Sequence, residues 1–99
     1  MHGLKLIMIK SFRHKGLKAL HSTGSAKGVK ADHAPRLRRL LAALDQAKSP
    51  EDMNRPGNRM HSLKGSLAEF WSVSVSGNWR IIFCFDGPDV ILLDYLDYH

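Results

Sequence analysis

Ninety-nine residues, 43% of them hydrophobic, suffice for one domain with a single core, so residues 1–99 read as one unit whose site must lie on one surface. A lone cysteine excludes an intrachain disulfide and a cysteine-based zinc site, and no apolar run nears the roughly 20 residues of a membrane span. The net charge of +6 is lopsided, residues 1–48 carrying +9 and residues 49–99 carrying −3, which favours a polyanionic partner such as RNA, DNA or an acidic protein.

In chain order, residues 4–12 are apolar with Ile7 and Ile9, the pattern of a strand, and the run Leu4 to Ile9 is too short for a secretory h-region with a cleavage site after it. A soluble cytoplasmic protein without membrane contact is expected. Residues 14–21, with Leu17 and Leu20, read as a short helix that Ser22-Thr23-Gly24-Ser25 ends. Residues 32–48 form the strongest helical pattern: Leu37, Leu40, Leu41 and Leu44 make one stripe, and Pro35 falls in the first turn. Arg39 points away from that stripe and Arg36 and Arg38 flank it. This cationic side is either a solvated face or a contact surface for RNA or a partner.

Ser49-Pro50-Glu51-Asp52 has the form of an N-cap, an N1 proline and an acidic first turn. After it the period changes to that of strands. Residues 59–64, 69–75, 79–85 and 90–95 are short runs separated by Gly65-Ser66, Ser76-Gly77-Asn78 and Asp86-Gly87-Pro88, as in an antiparallel meander. Trp71, Val73 and Val75 alternate with serines, and Trp79, Ile81, Phe83 and Phe85 with Arg80, Ile82 and Cys84, giving one apolar and one mixed face. The order β-α-α-β-β-β-β predicts an α+β domain, two N-terminal helices packed on a twisted, mainly antiparallel sheet. Cys84, inside an apolar run, reads as a buried structural thiol.

Few residues are suited to chemistry. Arg80 sits on the mixed face of a central strand and needs a partner: either a structural ion pair with Asp94 or Glu69, or a phosphate held by its fork of donors. His61 stands three residues before Lys64 and the Gly65 turn, where an imidazole is either structural or placed for proton transfer beside a cation. Asp97-Tyr98-His99 either frays, or is held at the sheet edge by the apolar strand leading into it; a final histidine can also be a cloning remnant. No paired histidine or cysteine spacing gives a metal cage, and no phosphate-binding glycine loop is present, so neither metal nor cofactor is expected. Arginine, lysine, histidine, tyrosine and aspartate together can cleave RNA without metal. Such cleavage needs a base for the 2′-hydroxyl, positive charge for the phosphate oxygens and an acid for the leaving 5′-oxygen.

Four ordered motifs then carry a resemblance across about nine-tenths of the chain. Met8 to Phe12 with His14-Lys15-Gly16-Leu17-Lys18, Leu41-Ala42-Ala43-Leu44-Asp45, His61-Ser62-Leu63-Lys64-Gly65, and Asn78-Trp79-Arg80-Ile81 with the terminal Asp97-Tyr98-His99 resemble the HigB-type toxins of the RelE/ParE superfamily. The resemblance implies the RelE-like fold and a ribosome-dependent messenger RNA endoribonuclease. It also implies neutralisation by a HigA-like helix-turn-helix antitoxin, through which alone the toxin would meet operator DNA. By position, Arg80 would hold the scissile phosphate and His61 and His99 would share proton transfer and charge stabilisation. Tyr98 and Asp97 would position substrate or tune an imidazole, while Lys64, Arg36, Arg38 and Arg39 would contact RNA.

The pattern also departs from the family. Residues 1–7 precede the usual start at Met8 and read as an N-terminal extension. Gly65-Ser66-Leu67 stands where many members have Gly-Asp-Arg, removing a cation, and Asp94 and Leu96 replace the usual asparagine and glutamate. Asp94 is expected to compete with phosphate for Arg80. The main alternative is a ParE-like, non-enzymatic toxin acting on DNA gyrase, which would need neither His61 nor His99. A basic nucleic-acid-binding module without chemistry would account for the charge alone.

Overall fold

The computed structural model describes residues 9–98. The strand expected over residues 4–12 lies largely outside them. Its last part, Ile9 and Phe12, bridges Val90 and Leu93 in parallel, with the Lys10 and Arg13 N–H groups donating to the Val90 and Leu93 carbonyls.

Helix α1 (Lys15–Thr23) starts one residue later than its pattern because His14 caps it, Nδ1 accepting the Leu17 N–H at 3.1 Å. It runs on to Thr23, where the Ser22 and Thr23 hydroxyls fold back onto the Lys18 and Ala19 carbonyls and Gly24, at φ 80°, closes the end. The pattern over residues 32–48 splits into a 3-10 turn (Ala31–His33) and α2 (Ala34–Gln46). Pro35 has no N–H to offer Ala31, whose carbonyl is taken by the Ala34 N–H instead. All four stripe leucines are buried. The Ser49-Pro50 signal yields only a 3-10 turn (Pro50–Met53), and Ser49 does not cap it; the Asp52 carboxylate reaches back to the Lys48 N–H at 2.8 Å.

The sheet is a meander in the order β1 (His61–Ser62), β2 (Trp71–Ser76), β3 (Trp79–Asp86), β4 (Asp89–Asp97), all antiparallel. The helices cover one face, where Leu17, Leu37, Leu44, Met53, Val73, Ile81, Phe83, Val90 and Leu93 form a fully buried core. A second, smaller cluster closes the middle of the other face: Leu63 and Phe70 fold over Ile82 and Cys84, with Leu67, Ile91 and Leu96 at its border. The first strand of the meander is shorter than expected, since Arg59 turns to φ 47° before it and a 3-10 turn (Gly65–Leu67) begins after Lys64.

Two register shifts bend the ladder. Between Ser74 and Ser76 β2 carries one residue more than β3, and between Ile82 and Cys84 β4 carries one more than β3. Leu92, within the second bulge, sits at φ 56° and is 38% exposed. Among the described residues no helix is long and apolar enough to cross a membrane.

Candidate active site

Cross-strand pairing decides which side chains share a face, because paired residues point the same way. One row runs His61, Ser72, Ile82, Asp94 across the four strands, and the next runs Ser74, Arg80, Leu96. His61 and Arg80 therefore stand on the same outer face, away from the helices.

Arg80 is half-buried, and its Nη1 donates to the Ser72 hydroxyl at 3.1 Å. Ser72 is itself fully buried. Neither expected ion pair forms: no carboxylate of Asp94 or Glu69 lies within salt-bridge distance of Arg80, and Asp94 Oδ1 accepts the Tyr95 N–H at 2.9 Å. The guanidinium is oriented by a neutral hydroxyl and, among the described residues, has no further hydrogen-bond partner, so it has donors for an anion.

His61 is exposed, with Nδ1 3.2 Å from the Arg59 carbonyl. A carbonyl only accepts, so in this bond Nδ1 is the donor, and Nε2 is left for a second partner. The turn of backbone at Arg59 aims that carbonyl. Lys64, also exposed, opens the 3-10 turn at the end of the same segment. At the chain's other end, the Tyr98 N–H donates to the Asn78 carbonyl at 2.8 Å, extending the β3–β4 ladder past Asp97. Alternation then puts Tyr98 on the face of Arg80. Asp97 pairs with Trp79 and so falls on the helix side, opposite to Arg80. His99 lies outside the described residues.

The three arginines of α2 are not part of this cluster. Arg36 Nε and Nη2 both donate to the Ser74 carbonyl, at 3.2 and 2.9 Å, and Nη2 also reaches the Gly57 carbonyl and Asn58 Oδ1. It fastens helix to sheet. Arg38 is exposed and donates to the Gly24 carbonyl at 3.1 Å, while Arg39 is exposed with no partner among the described residues. Both belong to the helical layer, across the sheet from Arg80. That layer has its own concavity of about 380 Å³, lined by Leu20, His21, Arg38, Leu41 and Asp45 among others, with His21 Nε2 2.8 Å from Asp45 Oδ2.

Cys84 is buried as its setting foretold. Desolvation raises its thiol pKa, the negative charge of Glu69 raises it further and Arg13 opposes them. The expected missing cation after Lys64 has a structural counterpart, because Leu67 packs against the outer apolar cluster. Among the described residues no group of three or more His, Cys, Asp or Glu side chains is arranged to hold a metal. Sequence patterns did not single out Ser72, although a serine alternating with valines on the strand next to Arg80 was a signal. Nor did they single out His33 and Tyr95 beneath the sheet.

Comparison with known proteins supplies the remaining finding. Residues 10–99 match the family model described as the RelE-like toxin of the type II toxin-antitoxin system HigB. The chain is also 45% identical over 92 residues to the endoribonuclease HigB of Proteus vulgaris, an alignment covering 93% of this chain and 100% of that relative.

Proposed function

Because the chain belongs to the HigB-like family, the RelE-like toxins of type II toxin-antitoxin systems, we propose that it is an endoribonuclease that cuts messenger RNA on the translating ribosome. The observation that carries this reading is the arginine held by Ser72 with no carboxylate paired to it among the described residues, on the face where His61 stands exposed. The 2′-oxygen bonds to the adjacent phosphorus and the bond from phosphorus to the 5′-oxygen breaks. The products are a 2′,3′-cyclic phosphate and a 5′-hydroxyl. Arg80 holds the equatorial oxygens, whose charge grows in the transition state. His61 and His99 divide removal of the 2′-proton and protonation of the leaving oxygen, with no metal required. Tyr98 orients the strand from the same face, and Lys64, exposed at the turn that follows His61, contacts its phosphates. Asp97, on the other side, acts through the backbone geometry of the strand end.

A chain of 99 residues has little surface with which to orient single-stranded RNA, so the alignment of a near-attack ribose and phosphate is borrowed from the ribosome. Type II membership implies an antitoxin partner. We assign it to the HigA-like helix-turn-helix kind and place its docking on the basic first half of the chain, the whole system being cytoplasmic. Arg38 and Arg39 then serve that partner or ribosomal RNA, remote from the scissile bond.

Primer extension on a translated messenger RNA tests the reading. The wild type yields discrete cuts, and Arg80→Ala and His61→Ala lose them while remaining folded. Intact RNA accompanied by DNA damage would replace this reading with the gyrase-directed one.

A further inference from the structure

Beneath the strand ends that carry the site lies a group of rings with no part in the chemistry above. His33, in the 3-10 turn ahead of α2, is only 5% exposed, and its Nδ1 is 2.7 Å from the Tyr95 hydroxyl. Tyr95 is buried too, and its hydroxyl also accepts the Lys30 N–H at 3.4 Å. Trp79 stands against both, its ring centroid 4.8 Å from that of Tyr95 and 5.7 Å, edge-on, from that of His33, with the Lys30 ammonium 5.8 Å from the Trp79 ring centroid. His14 meets Tyr95 edge-on at 5.2 Å. Burial pushes the Tyr95 phenol up, which keeps it protonated and able to donate to an imidazole nitrogen.

The placement of these rings gives them a lever on the site. Trp79 immediately precedes Arg80 and pairs with Asp97; Tyr95 is two residues before Asp97 and three before Tyr98. We propose that His33 is a positioning residue that braces, through Tyr95 and Trp79 and from the opposite side of the sheet, the two strand ends presenting Arg80 and Tyr98. A polar bond across this layer fixes one arrangement where apolar packing alone would tolerate several. The proposal rests on the nuclease reading, since it concerns the precision of that site, and a displacement of about 1 Å in such a site can cost about 100-fold in rate.

The test measures steady-state cleavage of a translated messenger RNA by the full chain, together with amide exchange. His33→Ala and Tyr95→Phe are expected to lower kcat about 10-fold with KM within about 2-fold of wild type. His33→Asn, whose amide reaches roughly the place of Nδ1, should recover most of that loss. His21→Ala, in the separate pair with Asp45, serves as the destabilised control with kcat retained. Exchange of the Tyr98 N–H, bonded to the Asn78 carbonyl, should speed up in His33→Ala and return in His33→Asn, while core amides of β3 stay protected. Unchanged kcat in folded His33→Ala and Tyr95→Phe would overturn the proposal, as would an equal fall in His21→Ala. If the wild type cuts no RNA the nuclease reading fails, and the Tyr98 exchange alone then decides whether His33 braces the strand end.

Discussion

Replacing Arg36 by alanine separates a structural arginine from an RNA-binding one. Three hydrogens of this guanidinium, on Nε and Nη2, meet four acceptor contacts: two to the Ser74 carbonyl, one to Gly57 and one to Asn58 Oδ1. A hydrogen bond from a charged donor contributes roughly 1.5–3 kcal/mol when well enclosed, and partial exposure here reduces each of the three to about 1 kcal/mol. Truncation also leaves the Ser74 carbonyl without its partner. Arg36→Ala should therefore lose about 2–3 kcal/mol, a fall in Tm of about 10 °C or more for a chain of this size. Arg36→Lys should restore little, because an ammonium cannot place two donors on one oxygen in the plane of the fork. Differential scanning calorimetry reads the first quantity. The salt dependence of RNA binding reads the second, and its slope should match wild type in Arg36→Ala while falling by about 1 in Lys64→Ala. A variant with unchanged Tm and a lowered salt slope would refute the assignment of Arg36 to the scaffold.

Three other outcomes follow from the same geometry. Ser72→Ala should reduce cleavage about 5–10-fold with little loss of stability, since the hydroxyl orients Arg80 and its removal leaves a half-exposed guanidinium that water can solvate; single-turnover kinetics beside a melting curve measure both. Because burial raises the Cys84 pKa, less thiolate exists at any given pH in the folded chain, and the gap in reactivity toward an alkylating agent should widen between folded and urea-unfolded protein as pH rises from about 7 to 9. Leu92→Gly should stabilise the fold by about 0.5–1 kcal/mol in a denaturant titration, as glycine adopts φ 56° without the Cβ clash and the side chain removed is largely outside the core.

The helical half was legible because its signals are local. Four leucines at helical spacing fix the buried side of α2 whatever else the chain does, and Gly24 marks the end of α1 by its backbone freedom alone. The strand runs were legible as runs, and alternation assigned Arg80 to the mixed face correctly. What could not be read was the partner of Arg80, for reasons lying in the register. A two-residue turn at Gly77-Asn78 by itself would set Arg80 opposite Val75 and Ile81 opposite Ser74. The extra residue in β2 shifts the pairing so that Arg80 meets Ser74 and Ser72 falls within reach. No glycine or proline announces that bulge, and only tertiary packing of Val75 into the core selects it. The same limit applies to residues 59–64, where a positive φ at Arg59 shortens the strand and no sequence rule favours arginine in that conformation.

The second bulge has the larger consequence for function. Counting back from the turn at Gly87-Pro88, an unbroken ladder would pair Arg80 with Tyr95, which would place Tyr95 on the outer face and Leu96 and Tyr98 beneath the helices. The additional residue at Leu92 reverses this: Tyr95 goes under the sheet to meet His33, and the alternate residues Leu96 and Tyr98 come to the side of Arg80. It is secured from outside the meander, since the Leu92 N–H donates to the Ser11 hydroxyl at 2.8 Å and the Leu93 N–H to the Ser11 carbonyl at 3.1 Å. Ser11, outside the meander, thus helps to set which face the strand end presents. An unfavourable dihedral at one leucine persists because two hydrogen bonds and the parallel contact with Ile9 and Phe12 hold it there.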